Sequence, residues 1–188
     1  MQPIHETMEI FRHQRAVRAW ADRPIPDDLL QQILEAAIHA PSGSNTQPWR
    51  FIVVRDSALK ARISEEYAAA QGARSGSSVS GSGILSQAPV LIVPCVRIPE
   101  RTRRAGFQTG ASIYPACQNL MLAARALGLG TVLTTTHRIR AEQIHALLGI
   151  PATYDSAAII PLGWPDRPYG PNHRPPLSGF VSYERWSE

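Results

Sequence analysis

GASIYPACQNLMLAARALGLG, running from Gly110 to Gly130, carries one formal charge, Arg125. Its other polar side chains, Ser112, Gln118 and Asn119, do not gather on one helical face, and a helix without a polar face is a buried one. The stretch predicts a helix at the centre of the molecule, covered by its own domain or by a second subunit. Ser112 is the expected cap, since it leaves Pro115 in the first turn, where N–H groups lack intrahelical partners and a proline costs little. An earlier start would put Pro115 inside the helix and kink it. Gly128 and Gly130 read as terminators. Gln118, Asn119, Arg125 and Pro115 within about twenty residues argue against a membrane span.

Working outward, 188 residues suit one domain with a substantial core, and 44% hydrophobic with 18% charged residues excludes global disorder. A net charge of +4, scattered and without a basic stripe between aromatics, mildly favours anionic ligands and argues against nucleic acid. Lys60 is the only lysine, so the cations are almost all arginine, whose planar fork suits phosphate and carboxylate. Cys95 and Cys117 lie in apolar runs and indicate neither a disulfide framework nor a zinc site. The histidines show no HExxH or other ligand spacing. The N-terminus lacks the apolar core of a signal peptide, so a cytoplasmic protein is expected.

In chain order, His5 to Arg12 reads as a short helix. Arg12, Arg15, Arg18 and Arg23 follow around Val17 and Trp20. Arg15 and Arg18 are three apart, and in a helix or tight turn their heads converge on one anion; from spacing alone a solvated charged face is the better reading. Pro24 and Pro26 prepare a helix with Asp27 and Asp28 in its first turn and Leu29, Leu30, Ile33, Leu34, Ala37 and Ile38 on an apolar stripe. Next comes PSGSNTQPWR (41–50), a loop whose small residues and amides can approach a flat ligand, anchored by Trp49. Strands are predicted at Phe51–Arg55, Ala88–Val96, Thr131–Thr136 and Ser156–Leu162, and helices at Ser57–Gln71 and Arg140–Leu148. Residues 72–86 read as a weakly hydrophobic linker of the kind that forms lids. Arg97–Arg104 reads as a solvated connection. Residues 165–188 hold five prolines before Leu177 and must run extended, across this domain or a partner, with Phe180, Val181, Tyr183 and Trp186 as anchors.

Four stretches in this order resemble the nitroreductase family of flavin enzymes: RAVRAW (15–20), PSGSNTQPWRFIVV (41–54), QNLMLAARALGLGT (118–131), and LGWPDRP with HRPPL between Leu162 and Leu177. The resemblance implies a single α+β domain with three layers, a mixed and mostly antiparallel sheet wrapped by helices. It implies a homodimer, with FMN sites at the interface and the C-terminal tail on the partner. It further implies ping-pong hydride transfer from NAD(P)H to a nitroaromatic, quinone or similar acceptor. Reductive dehalogenation, enone reduction, flavin consumption and a flavin-carrier role stay open.

Residue by residue, the resemblance assigns Arg15 and Arg18 to the basic motif, one meeting the FMN phosphate and Arg18 supporting the reduced flavin at its polar edge. Arg174 closes on the phosphate. Pro41, Ser42 and Gly43 line the ring from the partner subunit, with Asn45 and Gln47 as hydrogen-bonding amides, and Thr134 and Thr135 offer backbone groups near the flavin. No side chain is assigned as a catalytic acid, base or nucleophile, and no metal is implied. Gln14 stands where the family usually has a basic residue and Ala16 where it usually has serine. Each lost charge-assisted contact costs roughly 1.5–3 kcal/mol, with Arg12 or His13 as candidates to compensate.

Overall fold

The computed structural model describes residues 6–75, 83–99 and 105–186. Five short strands form one sheet, β1 (Trp49–Val54), β2 (Val90–Arg97), β3 (Gly130–Thr131), β4 (Tyr154–Ser156) and β5 (Ile160–Gly163), in the order β1-β2-β5-β3, with β4 also on β2. The named strands pair antiparallel; a parallel bridge between Ala16 and Thr131 makes the sheet mixed. Strand β2 explains the layering. Val90, Ile92 and Val96 enter one apolar cluster, with α2 (Asp27–Ile38) and α5 (Ala105–Ala126). Leu91, Val93 and Cys95 enter the other, beneath α3 (Ser57–Ser75), α4 (Gly83–Ser86) and α6 (Ala141–Leu148). A strand covered on both faces must be apolar, and this run is from Val90 to Val96, with Arg97 exposed at its end. The remaining helix, α1, spans Thr7–His13.

Several predicted elements are corrected. Helix α5 begins at Ala105, not at Ser112. Ser112 does not cap it, because its buried Oγ accepts from the Gly43 N–H at 3.4 Å. Pro115 thus lies inside the helix, and the carbonyl it leaves without an i→i−4 donor belongs to the exposed Ala111. Gly128 ends the helix at φ 85°, with Leu129 N–H returning to the Ala124 carbonyl at 2.8 Å; Gly130 is a strand residue. The predicted strand 156–162 is two strands. Cys95 faces Ser156 but Ile92 faces Ile160, so 157–159 hold one residue more than the opposing 93–94: a bulge opposite Pro94, which has no N–H for the ladder. The predicted strand 131–136 shrinks to β3 because the residue opposite Val132 in the continuing register is Pro161, which has no N–H for the ladder. Only Thr134 pairs again, with Ile159, before a 3₁₀ turn at Thr136–Arg140. Of the linker, 72–75 complete α3 and 83–86 form α4; its middle, and Arg101, Arg103 and Arg104, lie outside the described residues.

One side of α5 fills the core with Ile113, Ala116, Cys117, Leu120, Met121 and Ala124, while Ala111, Tyr114 and Gln118 are exposed. A single chain therefore covers only part of the helix that the sequence marks as buried. The described tail after Pro165 has one regular element, a 3₁₀ turn at Leu177–Gly179, and otherwise runs without helix or strand, bending at 166–167 and at 183–185. Its Leu177, Phe180, Tyr183 and Trp186 are 68–89% exposed.

Candidate functional site

Residues 14–20 are neither helix nor tight turn. They run extended beside β3, the Val17 N–H donating to the Thr131 carbonyl at 2.9 Å and the Ala21 N–H to that of Trp164 at 2.8 Å. Two glycines permit this. A Cβ on Gly130 would stand 2.7 Å from the Cβ of Val17, and one on Gly163 would strike Trp20 and lie 2.7 Å from Pro89 Cδ. With Val17 buried and Trp20 Nε1 donating to the Gly130 carbonyl at 3.4 Å, the strip is fixed and its arginines point away from the core.

The arginines meet in a cleft of about 530 Å³. Arg12, Arg15, Arg18, Arg174, Gln14 and Asn172 supply its polar walls, with Ala16, Met121, Val132 and Leu133 among its apolar surfaces. Asn172, which sequence reasoning missed, binds tail to strip: its Nδ2 donates to the carbonyls of Phe11 at 3.1 Å and Gln14 at 3.0 Å, and its backbone N–H to that of Arg12 at 2.8 Å. The only signal was an asparagine amid prolines. Arg15 lies over the Tyr169 ring at 5.6 Å and donates to the Gly170 carbonyl at 3.4 Å. Gln14 reaches Thr131 Oγ1 only at 3.5 Å, and Ala16 contributes its backbone bridge. Of the compensating candidates, Arg12 lines the cleft, although it also pairs with Glu9, whereas His13 bonds the Glu9 carbonyl at 2.9 Å and is not among the lining residues.

A second cavity of about 530 Å³ adjoins the first, sharing Arg18, Val132 and Leu133 and walled by Tyr67, Gln71, Arg74, Ile84 and Thr134–Thr136. Thr134 and Thr135 line this space rather than the arginine cleft. Both backbone groups of Thr134 are engaged by Ile159, at 3.1 and 2.9 Å, and its hydroxyl is bonded to that of Tyr67. Its backbone N–H is already spent on Ile159.

The loop 41–47 stands elsewhere. Ser44, Asn45 and Gln47 adopt φ of 51°, 54° and 48°, left-handed backbone that costs non-glycine residues energy and concentrates at functional sites. Local bonds hold it: the Gln47 N–H donates to Ser42 Oγ at 3.0 Å, and Gln47 Nε2 to Asn45 Oδ1 at 3.3 Å. Trp49, buried as expected, anchors it. Pro41, Ser42, Gly43, Asn45 and Gln47 line neither cavity of their own chain. Thus the chain gathers Gln14, Arg15, Ala16, Arg18 and Arg174, places Thr134 and Thr135 next door, and leaves the loop apart.

Residues 11–164 match the model of the Nitroreductase family. The chain belongs to the nitroreductase family. An NADH dehydrogenase of Thermus thermophilus is 30% identical, over 95% of this chain and 96% of its own. The crystal structure of an oxidized iodotyrosine deiodinase bound to FMN and 3-iodo-L-tyrosine superposes with TM-score 0.83 at 25% identity, over 96% of this chain and 100% of that one. The NADPH:FMN oxidoreductase of Vibrio harveyi, complexed with NAD+, shares the fold with TM-score 0.84 at 23% identity, over 97% and 78% of the two chains.

In this family member the thiols are poor nucleophiles. Burial pushes Cys95 and Cys117 up to about 12. Burial also pushes His137 down to about 4, and its ring shares the Ser156 hydroxyl with His145, at 3.0 and 2.9 Å. Among the described residues no cluster of His, Cys, Asp or Glu could hold a metal, and no helix is long and apolar enough to cross a membrane.

Proposed function

We propose that the chain is an FMN-dependent oxidoreductase of the cytoplasm, a single domain that pairs with a second copy and passes a hydride from NAD(P)H to an electrophilic acceptor such as a nitroaromatic or quinone. One observation carries the reading: in a nitroreductase-family chain, four guanidinium groups and two carboxamides surround a cleft with apolar surfaces from Met121, Val132 and Leu133. A flat ring bearing a phosphate requires that combination, and the residues present fit FMN. When bound, FMN supplies the redox chemistry, hydride transfer from NAD(P)H through N5 to the acceptor in a ping-pong cycle.

Arg15 and Arg174, with Arg12 beside them, would hold the phosphate in place of the contacts that Gln14 and Ala16 cannot make. Arg18 belongs to both cavities and has no carboxylate partner among the described residues. Its undiminished charge would stabilise negative charge on the reduced ring. The dimer accounts for what one chain leaves open. The exposed side of α5, the aromatic tail and the strained loop all lack a cover, and large apolar interfaces are of the obligate kind. The loop of one copy would complete the cleft of the other.

A second reading keeps FMN and exchanges the acceptor for a halogenated aromatic, favoured by the likeness to the iodotyrosine deiodinase; release of halide distinguishes it. The first reading is tested by an anaerobic visible spectrum after loading with FMN and desalting. A retained yellow chromophore that bleaches with NADH or NADPH and recovers with a quinone or nitroarene is expected. A colourless protein overturns it, and retention without bleaching points to a carrier.

A further inference from the structure

Ser156, fully buried in β4, lies outside both cavities and receives two histidines from different elements. His137, in the 3₁₀ turn Thr136–Arg140, and His145, on α6, each place Nε2 on its hydroxyl, at 3.0 and 2.9 Å. One backbone group fixes where the hydrogens are. The Ser156 N–H donates to His145 Nε2 at 3.3 Å, so that nitrogen is a bare acceptor and the neutral ring carries its proton on Nδ1. The Ser156 hydroxyl must then donate to the same Nε2. With its only hydrogen spent, Oγ accepts from His137 Nε2–H. This leaves His137 Nδ1 as a bare acceptor, buried and without a hydrogen-bond partner, which is a milder defect than a buried N–H with none.

The rings differ in their access to water. His137 is 0% exposed and burial keeps it neutral down to about 4, whereas 21% of the His145 side chain is exposed. Asp155 Oδ1 stands 3.5 Å from His145 Nε2, while its Oδ2 accepts from Arg138 at 2.9 Å. On α3, Glu66 holds Arg140, and the Tyr67 hydroxyl is bonded to Thr134. Cys95, opposite Ser156 on β2, is pushed by burial up to about 12, and Glu142, a turn before His145, faces solvent.

We propose that His145, Ser156 and His137 form a proton-sensing relay, in which one proton taken up at His145 reverses both hydrogen bonds, switches the tautomer of His137 and loosens the turn 136–140. An imidazolium at His145 carries Nε2–H and donates to its nearer acceptor, Ser156 Oγ. The hydroxyl turns its hydrogen to His137 Nε2. That nitrogen releases its proton to water and Nδ1 takes one from water during a local opening, so the net uptake is the single proton on His145. Nδ1–H is then a buried donor without a partner, the costlier state. The cost falls on a turn whose first residue, Thr136, lines the second cavity.

Long-range 1H–15N spectra of the purified, 15N-labelled full chain read both tautomers directly. In mildly alkaline solution His137 should be the Nε2–H form and His145 the Nδ1–H form. Acid is then added until the His145 signals report an imidazolium, staying above the range near 4 where His137 takes a proton of its own. Over that titration His137 should pass to Nδ1–H with the same midpoint. Amide protection at 136–140 should fall about tenfold while that of β1 holds, as expected when one buried donor loses its partner. Ser156→Ala should uncouple the pair, His145 still titrating while His137 keeps one tautomer. His145→Gln, which leaves Ser156 in place, should also hold the His137 tautomer constant. A wild-type His137 tautomer that ignores the His145 titration, or one that still changes in either variant, overturns the proposal.

Discussion

The basic strip at 14–20 and the loop at 41–47 are both short, irregular segments, yet they are held in opposite ways. The strip borrows rigidity from the sheet: backbone bonds to Thr131 and Trp164, a buried Val17, and two glycines that let it approach so closely. The loop is held mainly by its own Ser42, Asn45 and Gln47, with one bond from the Gly43 N–H to Ser112 on α5, and accepts three left-handed non-glycine residues in doing so. A segment docked on the core presents side chains, here arginines. A self-supported loop presents backbone and amides, and in one chain it presents them to none of the cleft residues. On the reading proposed above, the two are halves of one site contributed by two copies.

The comparison breaks most severely at Gly163. Gly163→Ala forces a methyl group into Trp20 and Pro89 and should lower stability by about 3 kcal/mol in urea unfolding, taking FMN retention with it by releasing the strip. A change within 0.5 kcal/mol (about the noise of a surface substitution) would mean that the close approach is not what holds it.

Arg18→Ala removes charge rather than packing. Flavin reduction by NAD(P)H, followed by stopped flow, should slow by roughly tenfold to a hundredfold, while the unfolding midpoint barely moves. Equal reduction rates would remove Arg18 from the site.

Acid should weaken the fold through His137, whose ring is bonded to Ser156 of β4. The unfolded chain protonates His137 near 6.5 whereas the fold delays this until about 4. Between those values the unfolded state binds more protons. Stability should therefore fall as pH drops, by up to about 1.4 kcal/mol per pH unit from this residue. The slope should largely vanish in a folded His137→Gln variant compared by urea titration at pH 5 and 7.

The smallest effect belongs to the loop. Ser44→Gly relieves a left-handed residue and should be neutral or raise stability by about 0.5 kcal/mol, the gain offset by added freedom of the unfolded chain. A clear loss would mean that the Ser44 side chain makes a contact the single chain does not reveal.

What the sequence disclosed, and what it hid, follows the same division. Strand β2, helix α2 and the anchoring of Trp49 were readable because hydrophobic pattern sets them locally. The conformation of residues 14–20 was not, since an arginine spacing fits helix, turn or strand until Gly130 and Gly163 admit the segment to the sheet edge. Ser112 looked like a cap because capping is a local inference, but a partner distant in sequence, the Gly43 N–H, claims its hydroxyl. The split of 154–163 into two strands depends on Pro94 in the facing strand, which no window around Ser156 contains. Among the residues that line the cleft, the arginines were recognisable by type, whereas Asn172 acts through backbone carbonyls that become neighbours only after folding.

Complementation between two defective copies tests the shared site most directly. One variant, Arg15→Glu with Arg174→Glu, breaks the arginine half. The other, Gly43→Trp, breaks the loop half at a position where a Cβ meets nothing within 4 Å in its own chain. Each alone should lose FMN after desalting. Purified as a heterodimer carrying two different tags, the pair should recover FMN in one of its two sites, because one cleft then combines an intact arginine half with an intact loop. A heterodimer as colourless as its parents would contradict a site built from two copies.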